Sequence, residues 1–153
     1  MKISKKSEYA IRALIELSLN YDSEKKIGRD EISQKQNIPL NFLSHILVAL
    51  RNAGLIISSR GAVGGYLLAK SPQDISLCEV IKLFEGKDKV FSCCGDRGKQ
   101  CAGCPYKKEN CPFPSLFNKI DLAFYSMINK YTIQDFVAVI ENRSGSEFTN
   151  WVI

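Results

Sequence analysis

The stretch DEISQKQNIPLNFLSHILVALRNAG, residues 30–54, decides how the rest of the chain is read. Asp30 to Gln36 suits a short polar surface helix, and Asn37-Ile38-Pro39 breaks it, because proline has no amide to donate and clashes with a preceding helical turn. From Asn41, the expected cap, a longer helix follows. Its buried stripe is Phe42, Leu43, Ile46, Leu47 and Leu50, and Gly54 ends it. Upstream, Tyr9, Ala10, Ala13, Leu14, Leu17 and Leu19 predict a first helix over residues 7–20, with Ser7 as its cap and Glu8 in the first turn. Downstream, residues 55–58 and 65–69 read as two short strands around a glycine-rich turn. Helix, short helix, tight turn, longer helix and hairpin, in that order, describe a winged helix-turn-helix over residues 1–72. The fold class expected is mainly α with a small β-hairpin wing.

Beyond Pro72, Ser76 is placed to cap a short helix from Leu77 to Phe84. Residues 86–114 differ in kind: they are rich in Gly, Lys, Cys and Pro and have no apolar period. Burial of surface cannot order such a segment, so another agent must. From Ser115 the period returns, with Leu116, Phe117, Ile120, Phe124, Met127, Ile128 and Tyr131 along one face of a long helix. Thr132 then caps a last helix, Ile133 to Ile140, with Asp135 at the capping-box position. The tail from Asn142 is polar and expected to fray, and Trp151 is conspicuous within it.

The chain has 153 residues and a formal charge of +5, a size for one compact unit. Residues 1–70 hold eleven basic and six acidic side chains, whereas residues 71–153 hold ten of each. The whole surplus lies in the first half, which is therefore the half to meet a polyanion. Glu8, Arg12 and Glu16 interrupt the stretch nearest to a signal sequence, and no apolar run is long enough to span a membrane. The expected setting is the cytoplasm, where thiols stay reduced. A single histidine, His45, leaves no room for a multi-histidine metal site. No cofactor fingerprint or acid–base pair supports an enzyme or electron carrier.

In a helix-turn-helix the second helix turns one face to the core and lays the other in the major groove. That outer face would offer Asn41, Ser44, His45 and Arg51, with Val48 available to a thymine methyl group. His45 alone is more economically read as an ordinary exposed histidine. The hairpin contributes Ser59, Arg60, Gly64 and Tyr66, and a tip arginine suits a narrow, electronegative minor groove. The glycines of Gly61 to Gly65 do not follow the order of a nucleotide-binding loop.

Five of the six cysteines, Cys93, Cys94, Cys101, Cys104 and Cys111, fall within one segment, and Cys78 reads as a small buried hydrophobe in a helix. Arg97, Lys99, Lys107 and Lys108 would favour thiolates there. Three chemistries fit this segment. Cys101-x-x-Cys104 is half of a Cys₄ zinc ribbon, any two thiols could form a redox switch, and three thiolates with a further ligand could hold an iron–sulfur cluster. Spacing alone does not choose among them.

These features together resemble a known family. Tyr9-Ala10-Ile11-Arg12-Ala13-Leu14, the helix pair of residues 30–54, Arg60-Gly61 with Gly64-Gly65-Tyr66-Leu67-Leu68, and Cys104-Pro105 with Cys111-Pro112 are similar to the IscR/NsrR/RirA group of winged-helix regulators, the Rrf family. The resemblance runs from about Met1 to Val137. It implies a transcriptional regulator, most often a repressor, that binds palindromic double-stranded operators as a homodimer through its long helix. Residues 73–141 would then be a cysteine-loop and dimerisation region and residues 142–153 a flexible tail. The resemblance also implies a cluster, 2Fe–2S or 4Fe–4S, held by Cys94, Cys104 and Cys111, with Cys93 and Cys101 as alternates. IscR-type members take a fourth ligand from a histidine where this chain has Pro114. NsrR-type members take it from an acidic residue near the N-terminus of the other subunit, and Glu8 occupies that place. Ser44 stands where the best-known member has an acidic base reader, so the operator sequence does not transfer, whereas Arg60 matches. A cluster-free thiol switch or a zinc-stabilised regulator of the same fold is the alternative.

Overall fold

The computed structural model describes residues 3–59, 61, 64–86, 105, 106 and 110–145. The first helix, α1 (Lys5–Ser18), begins earlier than its apolar spacing predicts. Ser4 rather than Ser7 is the cap: its hydroxyl accepts from the Ser7 amide at 3.3 Å. Ser7 itself is fully buried inside the first turn. The second helix, α2 (Arg29–Gln36), ends at Asn37, whose φ of 48° places it in the left-handed region that asparagine tolerates. The turn is then closed from both sides. The Ile38 amide donates to the Ser33 carbonyl at 3.0 Å, and the Ser33 hydroxyl donates to the Ile38 carbonyl at 2.7 Å.

The third helix, α3 (Leu40–Asn52), is preceded by Pro39 as its cap residue. Asn41 thus lies within the first turn and makes no capping bond, a correction to the sequence expectation, because Pro39 already sets the extended backbone that precedes the helix. Leu43, Ile46, Leu47 and Leu50 are buried as expected. Phe42 is not: it is 52% exposed at the start of α3 and meets Tyr9 edge-on, with 6.4 Å between ring centroids. Gly54, at φ 71°, ends the helix in the left-handed conformation.

Strands β1 (Ile56–Ser59) and β2 (Gly65–Leu68) pair antiparallel, with Ile56 opposite Leu68 and Ser59 opposite Gly65. On the other edge of β2, Ile27 forms a bridge to Tyr66 through reciprocal backbone bonds of 3.1 and 2.9 Å. The wing is therefore pinned to the segment that leads into α2.

After a single 3-10 turn, Pro72–Asp74, comes α4 (Leu77–Glu85), capped by the Ser76 hydroxyl at 3.0 Å from the Glu79 amide. The long helix, α5 (Phe113–Ile128), starts before Ser115 because Pro112 and Pro114 suit a first helical turn that needs no amide donors. The last helix, α6 (Ile133–Gly145), opens on the expected box: the Thr132 amide and hydroxyl both donate to Asp135 Oδ2, at 2.6 and 3.0 Å. It runs past Ile140, so Asn142 is helical rather than part of a frayed tail. Trp151 lies outside the described residues.

One apolar core joins Ala10, Ala13, Leu14 and Leu17 of α1 to the buried stripe of α3. The same core includes Ile32, Ile38, Leu55, Ile56, Ile75, Val80 and Ile133. α1 is its central member and packs on α2, α3, α4 and α6. A smaller cluster of Cys78, Ile81 and Ile128 joins α4 to α5, and the buried Cys78 is the packing residue that its position predicted. Among the described residues, no helix is long and apolar enough to cross a membrane.

Candidate nucleic-acid interface

Burial of one side of α3 leaves its other side to solvent, where Asn41, His45, Val48 and Arg51 are exposed and Ser44 is half-buried. The Ser44 hydroxyl donates to the Leu40 carbonyl at 2.9 Å, so its hydrogen is already used. It also accepts from Arg29 Nη1 at 3.4 Å. Arg29, the first residue of α2, thereby reaches the outer face of α3, and sequence reasoning missed it. The available signal was Gly28-Arg29 at the mouth of a polar helix in the basic half of the chain.

The turn between α2 and α3 is held against α1 by a buried carboxylate. Glu16, 4% exposed, accepts from Lys35 Nζ and from Gln36 Nε2, each at 2.9 Å. Lys35 also pairs with Glu31 at 2.9 Å, and Arg12 Nη2 donates to the Gln36 carbonyl. A buried carboxylate without partners would cost several kcal/mol, so this set fixes where α2 lies. The sequence showed Glu16 only as an interruption of an apolar run.

In the wing, Arg60 lies outside the described residues. Gly64, half-buried, donates its amide to the Gly61 carbonyl at 2.9 Å, and Gly61 has φ 112°. The Ser59 hydroxyl is buried, with no hydrogen-bond partner among the described residues. Tyr66 is an anchor of the hairpin: its backbone pairs with both Ser58 and Ile27, and its ring packs on the core. Of the hairpin residues singled out from sequence, Tyr66 therefore ties the wing to the core, whereas Ser59, opposite Gly65, ends β1 next to the turn.

Of the suggested metal ligands, Cys93, Cys94, Cys101 and Cys104 lie outside the described residues. Cys111 is half-buried directly before Pro112 and α5. Glu8 is partly exposed in the first turn of α1, 2.6 Å from Lys5 Nζ and 3.6 Å from Arg12 Nη1. The hydrogen bond from Lys5 is the main reason that its carboxyl is held below the usual carboxylate range. Among the described residues, no three His, Cys, Asp or Glu side chains gather as a metal site.

The start of α1 has a second acidic neighbour. Glu85, the last residue of α4, accepts from the Ser4 amide at 2.9 Å and from the Ser7 hydroxyl. These bonds, Ser4 first, lower its carboxyl below the ordinary value of 4.5. A depressed folded value stabilises the fold fully above that ordinary value and is lost as pH falls through the folded one. Glu85→Gln should thus unfold with less acid sensitivity below pH 4.5 than the parent, as read from thermal midpoints across that range. Equal acid slopes in both would show that the contact contributes nothing.

A helix-turn-helix with a solvent-facing second helix, a pinned hairpin wing and a one-sided basic surplus defines a winged-helix DNA-binding transcriptional regulator. Residues 3–139 match the model of Rrf2, described as an iron-dependent transcriptional regulator. The chain belongs to the Rrf2 family. It is 32% identical to an rrf2-like HTH-type transcriptional regulator of Rhodobacter capsulatus, over 89% of this chain and 92% of that one. It is 30% identical to the HTH-type transcriptional regulator IscR of Cronobacter sakazakii, over 90% and 80% respectively. Among solved structures it is similar to CymR, the global cysteine regulator of B. subtilis, at a TM-score of 0.71 and 28% identity, over 91% of this chain and 98% of that one.

Proposed function

We propose that the chain is a cytoplasmic, homodimeric repressor of palindromic operators whose DNA affinity is set by an iron–sulfur cluster. The observation that carries this reading is the crowding of five cysteines into residues 93–111, the last of them half-buried at the start of α5. The donor chemistry fits: cysteine sulfur is the usual ligand of iron–sulfur clusters, and an ionised, partly exposed carboxylate is a weak and replaceable iron ligand. Cys94, Cys104 and Cys111 would hold the cluster, with Glu8 of the other subunit as the fourth ligand and Cys93 and Cys101 as alternates. A bound cluster would supply iron–thiolate bonds that oxygen, nitric oxide or loss of iron can break.

The chain's own residues supply the transmission. α4, which leads into the cysteine segment, grips the first turn of α1 through Glu85, and α1 packs on α3. On the other side of the segment, α5 exposes Leu116, Ile120 and Met127 at 55%, 38% and 55%, an apolar stripe suited to a second copy. Reordering of the segment would shift α4 and α5 together and change the spacing of two recognition helices, which must match half-sites about 34 Å apart. Asn41, Ser44, His45 and Arg51 would face the major groove, with Arg60 and Gly64 near the minor groove.

Anaerobic purification with iron and sulfide analysis tests the reading, followed by operator binding before and after chelation. Bound iron and sulfide, with affinity that changes on their removal, is the expected result. A colourless protein with stoichiometric zinc would overturn the cluster reading and leave the regulator intact. A cluster-free thiol switch is the second reading. It is favoured by the fold likeness to CymR and by the need for only two of the five thiols.

A further inference from the structure

We propose that Arg29 reads a guanine in each operator half-site, so that base recognition is shared between α2 and α3. The inference rests on the reading that the outer face of α3 enters the major groove. In that geometry, residues near the start of the second helix lie at base edges. Ser44 sits in the second turn of α3, and its hydroxyl is committed to the Leu40 carbonyl at 2.9 Å. It has no hydrogen left for a base, but its oxygen holds Arg29 Nη1 at 3.4 Å. The serine therefore acts as a bracket, and the arginine brings the donors.

The guanidinium suits the task. Its side chain is 47% exposed, and its nearest acid, Asp30, stands 3.9 Å from Nη2, too far for a hydrogen bond. A planar fork of N–H donors at the groove matches the O6 and N7 acceptors of guanine, the commonest specific side-chain contact to DNA. The other basic residue near this face, Arg51, lies at the far end of α3. Lys35 and Arg12 are engaged by α1 and α2.

The test selects binding sites for the full-length protein from a randomised duplex library and repeats the selection with Arg29→Ala and Arg29→Lys. The parent is expected to fix a G·C pair in each half-site. Both variants should lose discrimination at that pair by about 5- to 140-fold and keep the rest of the site, because lysine restores charge without the fork. Ser44→Ala should loosen the same pair and no other. Unchanged selection by both Arg29 variants would overturn the proposal. So would an equal loss on operator and random duplex, which marks a phosphate contact. Arg29 is an exposed first-turn residue, and matching circular dichroism spectra would confirm that the variants fold. If the parent itself enriches no sequence, the reading of the α3 face fails, and the role of Arg29 falls with it.

Discussion

Replacing Gly65 with alanine should destabilise the protein by about 1–3 kcal/mol and weaken its binding to duplex DNA, through a steric contact with the backbone of Ile27. A Cβ at this position would stand 2.9 Å from the Ile27 carbonyl oxygen, with the Ile27 carbonyl carbon and Lys26 Cβ each at 3.1 Å. Backbone cannot yield as a flexible side-chain tip does. Ile27 also exchanges two hydrogen bonds with Tyr66, so any retreat breaks the bridge that pins the wing. Gly28 supplies the control: nothing lies within 4 Å of its added Cβ, and it caps α2 without a side chain. Gly28→Ser should instead stabilise by a few tenths of a kcal/mol, roughly the difference between the two residues as caps. Urea unfolding reads the stabilities, and fluorescence anisotropy on a labelled duplex reads the binding. A Gly65→Ala protein with parental stability and affinity would mean that the close approach is not tight.

The larger effect should come from the cysteines. Cys104→Ser or Cys111→Ser is expected to abolish iron and sulfide retention under anaerobic purification. Each should also remove the difference in operator affinity between treated and untreated protein. Coupling between a ligand site and a distant binding site is commonly 1–3 kcal/mol, so about a 5- to 150-fold difference in affinity should disappear. Cys78→Ser separates chemistry from packing. Cys78 is 3% exposed between Ile81 and Ile128, so its replacement should lower stability and leave the iron content alone. Retention of iron and sulfide by Cys111→Ser would remove that residue from the ligand set. A parental redox response without iron would favour the thiol switch.

The helices were legible because their apolar residues recur at helical spacing. The stripe Leu43, Ile46, Leu47 and Leu50, and the Ser76 and Thr132 caps, stand as their local sequence predicts. The errors arose where a local signal has two equivalent candidates. Ser4 and Ser7 are both good caps, and the choice falls on Ser4 because Glu85, distant in sequence, takes the Ser7 hydroxyl. Asn41 loses its capping role to the backbone of Pro39. Phe42 belongs to the apolar pattern but meets solvent and Tyr9 at the start of its helix.

The interface was legible in outline only. Periodicity gives the outward face of α3 and hence Asn41, His45 and Arg51. No periodicity shows that Arg29 crosses from one helix to another, or that Glu16 and Glu85 join separate elements. Such contacts depend on tertiary placement, and single-chain patterns carry no record of them.

The exposed apolar face of α5 has a consequence for how such a regulator would respond to its own abundance. Leu116 and Met127, each 55% exposed, share one stripe of α5, and a second copy is their proposed cover. Where subunits are scarce, the paired form is the minority, and two-headed occupancy of DNA climbs with the square of subunit concentration. Gene dosage then becomes an input beside the chemical signal, and a modest rise in synthesis would sharpen the onset of repression. Trimming Leu116 and Met127 to polar residues would move that onset to higher protein levels without touching either the reading head or the cysteines.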